Sequence, residues 1–127
     1  MKRVFSCLCL AVALTGCTLS RSDLDNQPVT STLKVPGSFD QVYSKLLTEA
    51  PAGSVCRNVV DNSILRERSE FRIYYGVNSP SGPSYFDSVY GRQTGDQVLI
   101  QFRNQSINGR SGYRDPVTHF LTSGYCN

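Results

Sequence analysis

The sequence holds little of what most catalytic and metal sites require. It has a single histidine, His119, and no H-E-x-x-H, G-x-S-x-G or P-loop motif among its 127 residues. Those motifs supply zinc ligands, an activated serine and a phosphate cradle, respectively. No apolar run reaches the roughly 20 residues that a transmembrane helix needs. These absences predict a chain without a bound metal, without a cofactor and without enzymatic activity.

The net charge is also small. The formal value of +3 includes Lys2 and Arg3 at the start of the chain. If residues 1–16 are removed, 11 basic and 10 acidic side chains remain. A balance so close to neutral does not predict a nucleic-acid partner, because nucleic-acid binding depends on a strongly basic surface.

The amino terminus has the pattern of a signal peptide. Lys2 and Arg3 are followed by the uncharged residues 4–14, a length typical of the apolar region of such peptides and too short to span a bilayer. The tetrapeptide 14–17, Leu-Thr-Gly-Cys, ends this region. It resembles the lipobox of bacterial lipoproteins, in which Leu, a small or hydroxyl residue and Gly or Ala precede an obligatory Cys.

The resemblance implies that residues 1–16 are a signal peptide that is removed and that Cys17 carries lipid. In the family, the cysteine thiol receives diacylglycerol, a peptidase cleaves before the cysteine, and the new amino group takes a further acyl chain such as palmitate. Two or more chains hold a protein stably on a membrane. Thr18 stands where an inner-membrane retention signal would have Asp. The implied location is therefore the outer membrane rather than the inner one, with the domain facing the periplasm.

Two other interpretations of this segment stay open at the level of the sequence. An ordinary secretory signal could be cleaved near the small residues Ala11, Ala13 or Gly16, which would leave Cys17 unmodified. An uncleaved membrane anchor is the second, although the apolar run is short for a bilayer-spanning helix.

The cysteines predict one disulfide bond. Of the five, Cys7 and Cys9 lie in the signal peptide and Cys17 is the acylation site. Cys56 and Cys126 remain, as an even pair in an oxidising compartment. A metal site would need more ligands than these two distant thiols and one histidine, so a disulfide is the favoured interpretation.

The mature chain divides into a tether and a domain. Residues 17–28 hold the acylated cysteine and few apolar side chains, which predicts a flexible tether. A small periplasmic domain is predicted over residues 29–127. It opens with alternating apolar residues from Val29 to Val35, typical of a half-buried strand.

The pattern after this strand predicts an α+β fold with two layers. A main helix is expected over residues 38–50, because Ser38 and Gln41 fit a capping box and an apolar stripe follows them. Period-two alternation predicts strands over residues 71–75, 85–90 and 97–102, with a further short strand guessed around Cys56. A short C-terminal helix is expected after Asp115, with Val117, Phe120 and Leu121 facing the core. The expected sheet is antiparallel, with about four strands and the main helix packed on one face.

Several arginines and tyrosines are candidates for a partner-binding surface. They lie in or beside the predicted loops, and both residue types are enriched at binding hot spots. The candidates are Arg92, Arg103, Arg110, Arg114 and Tyr113. The expected partner is an envelope protein, including a larger envelope complex, or cell-wall glycan. The other interpretation is that the tyrosines cover sheet edges with their hydroxyls in water.

A small periplasmic hydrolase is the alternative function. It would act on a cell-wall or envelope substrate through Glu67, Glu70 or His119, the residue types that transfer protons in hydrolysis. The plainer interpretation is a solvated charge cluster and a surface histidine. The sequence therefore favours a lipid-anchored envelope lipoprotein that acts as a non-enzymatic binding or structural module.

Overall fold

Five strands form one antiparallel sheet in the computed structural model, which describes residues 20–104 and 112–127. The order across the sheet is β1-β5-β4-β3-β2, so β1 and β2 are the edge strands. The bounds are β1 Ser31–Pro36, β2 Val59–Leu65, β3 Glu70–Ser79, β4 Gly82–Thr94 and β5 Gln97–Asn104. The predicted α+β class is confirmed, with one strand more than the four expected.

Helices cover both faces of the sheet to different extents. The inner face carries α2, Phe39–Ser44, which continues as a π-helical turn over Lys45–Glu49, and α3, Arg114–Ser123. Among the described residues, the outer face carries one short helix, α1, Arg21–Asp25. The core lies between the sheet and the two inner helices. Its largest members from the strands are Phe71, Ile73, Tyr75, Val89, Ile100 and Phe102.

The main helix forms where the sequence predicts it. The Ser38 hydroxyl accepts a hydrogen bond from the Gln41 amide, and the Gln41 side chain accepts one from the Ser38 amide. This reciprocal capping box satisfies two backbone donors at the helix start. Of the predicted apolar stripe, Val42, Leu46 and Ala50 are buried. The helix over 38–50 is therefore confirmed, with a π-helical second half.

One glutamine side chain joins α2 to the sheet. Gln93 in β4 accepts a hydrogen bond from the Phe39 amide at 2.7 Å and donates to the Gly37 carbonyl at 3.0 Å. The Gln93 side-chain nitrogen, Nε2, also donates to the carbonyls of Gly95 and Gln97 at the β4–β5 turn. These bonds place the start of α2 against that turn.

The additional strand is β2, and sequence periodicity did not reveal it. The segment around Cys56, guessed to be a strand, forms a 3-10 turn over Val55–Arg57, and that guess was wrong. The strand begins two residues later. Its register against β3 shifts between Val59 and Asp61, and such a bulge breaks the alternation that marks a strand in sequence. As an edge strand, β2 also has only partly buried side chains.

The predicted disulfide between Cys56 and Cys126 is present, with the two Cα atoms 6.2 Å apart. It joins the turn after α2 to the segment after α3. The loop it closes spans 70 positions, for which the chain-entropy model gives about 4 kcal/mol of stabilisation. That is a large share of the net stability of a domain of this size.

The C-terminal helix starts two residues earlier than predicted, since Asp115 was the expected N-cap. Its first residue is Arg114 and its N-cap is Tyr113, without a side-chain cap bond, so Asp115 lies inside the first turn. Val117, Phe120 and Leu121 are buried as predicted. The helix ends at Gly124, whose φ of 83° is left-handed and favours glycine.

Two tyrosines of the inner layer provide a matched test of hydroxyl burial. The Tyr75 hydroxyl is fully buried and has no hydrogen-bond partner among the described residues. The Tyr43 hydroxyl donates to the Asn62 side chain at 2.6 Å. A hydroxyl that is buried without a partner destabilises the folded protein, because it gives up the hydrogen bonds that it makes to water in the unfolded chain. We expect Tyr75→Phe to raise the free energy of unfolding by about 1 kcal/mol and Tyr43→Phe to lower it by a similar amount.

Urea denaturation of the purified protein and both variants measures these changes. A Tyr75→Phe variant that unfolds at a lower urea concentration than the wild type would contradict the assignment.

Candidate functional site

The outer face of the sheet is the face opposite α2 and α3. Directly paired residues of antiparallel strands share a face, so the register defines its members. They include Ser63, Arg72, Tyr74, Ser88, Tyr90, Arg92 and Arg103. The side chains are mainly polar and basic, in contrast to the apolar inner face.

Helix α1 covers one half of the outer face. The expectation of an extended tether over residues 17–28 is wrong for Arg21–Asp25, which form this helix and contact β4 and β5. Leu24 is fully buried, which contributes about 2 kcal/mol from apolar burial. Ser20 and Asp23 form a capping box at the helix start. A helix this short lacks a readable period and depends on tertiary contacts.

A carboxylate holds α1 to β3. The Tyr74 hydroxyl donates to both oxygens of Asp25, at 2.8 and 3.0 Å, and Arg72 pairs with the same carboxylate at 2.8 Å. Burial, together with the bond to Asp25, raises the pKa of Tyr74 above its ordinary value. The hydroxyl therefore stays protonated and remains a donor. Hydrogen bonds to a charged group contribute about 1.5–3 kcal/mol.

The first residue of α1 is held to the edge of the sheet. Arg21 pairs with Asp61 of β2 at 2.6 Å, and its guanidinium lies 4.9 Å from the centre of the Tyr74 ring. Both partners of the ion pair are partly exposed, so the pair itself contributes at most about 1 kcal/mol. Its main effect is orientation, because it places the start of α1 beside β2.

The uncovered half of the outer face contains a groove of about 290 Å³ next to Arg21. We call it the arginine groove. Its polar lining consists of Arg21, Ser63, Arg68, Glu70, Arg72 and Tyr90. The Arg72 guanidinium lies 5.4 Å from the centre of the Tyr90 ring. Burial and a hydrogen bond with Glu70 raise the pKa of Tyr90.

The arginines of the groove differ in their partners. Arg21 and Arg72 each have a carboxylate partner, whereas Arg68 has no ion-pair partner within residues 20–104 and 112–127. A guanidinium has five N–H donors, so Arg21 and Arg72 retain donors as well. The groove can therefore bind an anion by charge-assisted hydrogen bonds.

The structure does not bring the predicted binding arginines together. Arg92 and Arg103 both lie on the outer face. In the β4–β5 pair, Arg92 is opposite Leu99 and Arg103 is opposite Ser88, so the two arginines are four register positions apart along the strands. The Arg103 side chain donates to the Gln27 carbonyl, behind α1. Arg114 belongs to α3, on the other side of the sheet. Arg110 lies outside the described residues.

Tyr113 has a packing role. Its ring stacks on Tyr75 at 5.4 Å, and its backbone amide donates to Asp87 at 3.1 Å. Tyr74 of the outer face is also fully buried, under α1. Tyr90, in contrast, lines the arginine groove.

The residues of the hydrolase alternative lie apart. Glu70 is on the outer face, and Glu67 is exposed in the turn Arg66–Arg68 before β3. His119 is exposed on α3, on the inner side, where its ring nitrogen lies 3.0 Å from the Asn127 side-chain oxygen. The sheet separates the histidine from Glu70, so these residues do not share a site.

Cys17 and the lipobox lie outside the described residues. Within the ranges 20–104 and 112–127, no helix is long and apolar enough to cross a membrane. The same ranges contain no cluster of three or more metal-ligating side chains.

No protein-family model, curated protein or solved structure matches this chain. The arrangement of the outer face is therefore the observation on which a function can be argued. Neither Arg68 nor Arg72 was singled out from the sequence, and the groove was missed. The alternation of Glu70, Arg72 and Tyr74 in β3 with Ser88, Tyr90 and Arg92 in β4 is the signal that could have placed these side chains on one face.

The buried leucine of α1 offers a local test. We expect Leu24→Ala to release α1 from the sheet, because it removes most of the apolar area that holds the helix. Hydrogen exchange of the amides in Arg21–Gln27 should then accelerate, while exchange in β3 and β5 stays slow. Leu65→Ala is the control, since Leu65 is 42% exposed. Unchanged exchange of the α1 amides in the Leu24 variant would contradict this role.

Proposed function

We propose that this chain is an outer-membrane lipoprotein acylated on Cys17, and that its periplasmic domain is a non-enzymatic binding module. The lipobox-like sequence and the disulfide between Cys56 and Cys126, a bond typical of an oxidising compartment, support the anchored, exported form. The binding surface is the uncovered half of the outer face.

The arginine groove is the observation that carries the proposal. It gathers Arg21, Arg68 and Arg72 beside Tyr90 on a face that no other described part of the chain covers. Arginine and tyrosine are the residue types that dominate binding energy at interfaces. The partner is accordingly an envelope component with anionic groups.

A catalytic function has less support. His119 and Glu70 lie on opposite sides of the sheet, and general acid–base catalysis needs its groups within hydrogen-bond reach of one substrate.

The anchor is tested by intact-mass spectrometry of protein extracted from membranes. We expect the mass to show that residues 1–16 are absent and that Cys17 carries acyl chains, and we expect the protein in the outer-membrane fraction. A Cys17→Ser variant is the control and should keep residues 1–16 without lipid. An unmodified thiol at Cys17 in the wild type would end the lipoprotein proposal.

The binding surface is tested by photo-crosslinking in living cells. A photoreactive amino acid at Tyr90 should form crosslinked products with an envelope component, and Arg68→Glu should reduce their yield. The same amino acid at Thr122, exposed on α3, is the matched control and should not give these products. Absence of products at Tyr90, or identical products at both positions, would contradict the proposed surface.

A further inference from the structure

We propose that the arginine groove binds phosphate groups of anionic phospholipids in the membrane that holds Cys17, and that it thereby docks the outer face on the bilayer. This inference rests on the proposed function, because it requires the acylated cysteine. It goes further by naming the partner of the groove and the orientation of the domain.

The length of chain before α1 supports this partner. Ser20 caps α1, and Arg21 lines the groove. Three Cα–Cα steps separate Cys17 from Ser20, and they span at most about 11 Å. A flexible tether ending at residue 28 would have allowed the domain to stand far from the membrane. With α1 packed on the sheet, the groove stays close to any lipid on Cys17.

This distance is comparable to the range of membrane electrostatics. The headgroup layer is about 5–7 Å thick on each side of the hydrocarbon core, and the Debye length at physiological ionic strength is about 8 Å. The lipid on Cys17 places that residue at the headgroup level. The chain before α1 therefore lets the groove reach the layer where the potential of anionic headgroups acts on its arginines.

The donors in the groove fit a phosphate group. Arg68 has no ion-pair partner among the described residues, and Arg72 pairs with Asp25 through its Nη1 atom. Arginine binds phosphate by two parallel N–H···O bonds. The hydroxyls of Ser63 and Tyr90 add further polar groups to the lining.

Three carboxylates near the groove have basic partners. Asp25 and Asp61 pair with Arg72 and Arg21, and Glu70 is the register partner of Arg92. Cross-strand partners of opposite charge attract each other. Glu67 shares the turn of Arg68 but is not part of the groove lining, so Arg68 is the arginine of the lining that has no ion-pair partner among the described residues.

The rim of the groove has the amphipathic character of a membrane interface. Leu65 is 42% exposed and, like Tyr90, lines the groove. Tyrosine concentrates at the headgroup level, where its ring is in an apolar layer and its hydroxyl meets water. The exposed leucine adds apolar area that can enter the same layer.

The experiment uses the mature acylated protein with Thr94→Cys, labelled with a nitroxide. Thr94 is exposed, lies on the same face of β4 as Tyr90 and is not part of the groove lining. The new thiol is the single free one, because Cys56 and Cys126 are disulfide bonded and Cys17 carries lipid in the proposed form. The protein is inserted in vesicles of phosphatidylethanolamine, with or without phosphatidylglycerol. A headgroup-bound paramagnetic relaxer reports the fraction of labels that lie at the membrane surface.

We expect the label to dock in vesicles that contain phosphatidylglycerol and to stay in water in those without it. Arg68→Glu should lower the ratio of docked to free label about fivefold, the order expected for one basic side chain at an anionic surface. Arg66→Glu is the matched control. It lies in the same turn and makes the same charge change, but its side chain pairs with Asp40. The ratio should therefore change little.

Three results would overturn the inference. The label could stay in water in both kinds of vesicle, the two variants could reduce docking equally, or soluble cell-wall fragments added to the vesicles could displace the label from the membrane surface. The last result would assign the groove to glycan, and equal effects would mean attraction by overall charge. All three leave the anchor standing. Protein that fails to remain on any vesicle because it carries no lipid would instead refute the proposed function.

Discussion

The disulfide bond between Cys56 and Cys126 constrains the helical layer that covers the apolar core. It joins the turn after α2 to the segment after α3, and these two helices cover the inner face of the sheet. Most of the apolar core lies under them. A domain of this size buries a modest core, so a crosslink between its two covering elements contributes a large part of the net stability. With the inner face closed in this way, the outer face is left for other roles.

Polar contacts and one buried leucine hold α1 on the outer face of the sheet. Leu24 is inserted between α1 and the sheet, and Asp25 accepts bonds from Tyr74 and Arg72. These contacts make Arg21–Asp25, predicted to belong to the tether, part of the domain. The consequence is geometric: whatever precedes Ser20 starts beside the arginine groove. The proposed anchor and the proposed binding surface are therefore close together, and the proposal that the groove binds the membrane follows from this proximity.

The parts of the fold that were predicted correctly are those with local patterns. Helix α2 has both a capping box and an apolar stripe, and β5 alternates between buried and partly buried residues along its whole length. The part that was missed, β2, is an edge strand with a bulge, where the alternation is interrupted. The candidate site was missed for a related reason. Arg21, Arg68 and Tyr90 are far apart in sequence, and each one alone is an ordinary surface residue.

The sequence by itself determined the chemistry that is independent of long-range contacts. The lipobox-like tetrapeptide, the even pair of cysteines and the start of α2 can each be identified from neighbouring residues or by counting. Tertiary structure decided which side chains share a face. The register of β3 against β4 places Arg72 beside Tyr90, and the burial of Leu24 brings Arg21 to the same groove. No local pattern contains this information, because it depends on how strands distant in sequence pair and on which apolar residue the sheet buries.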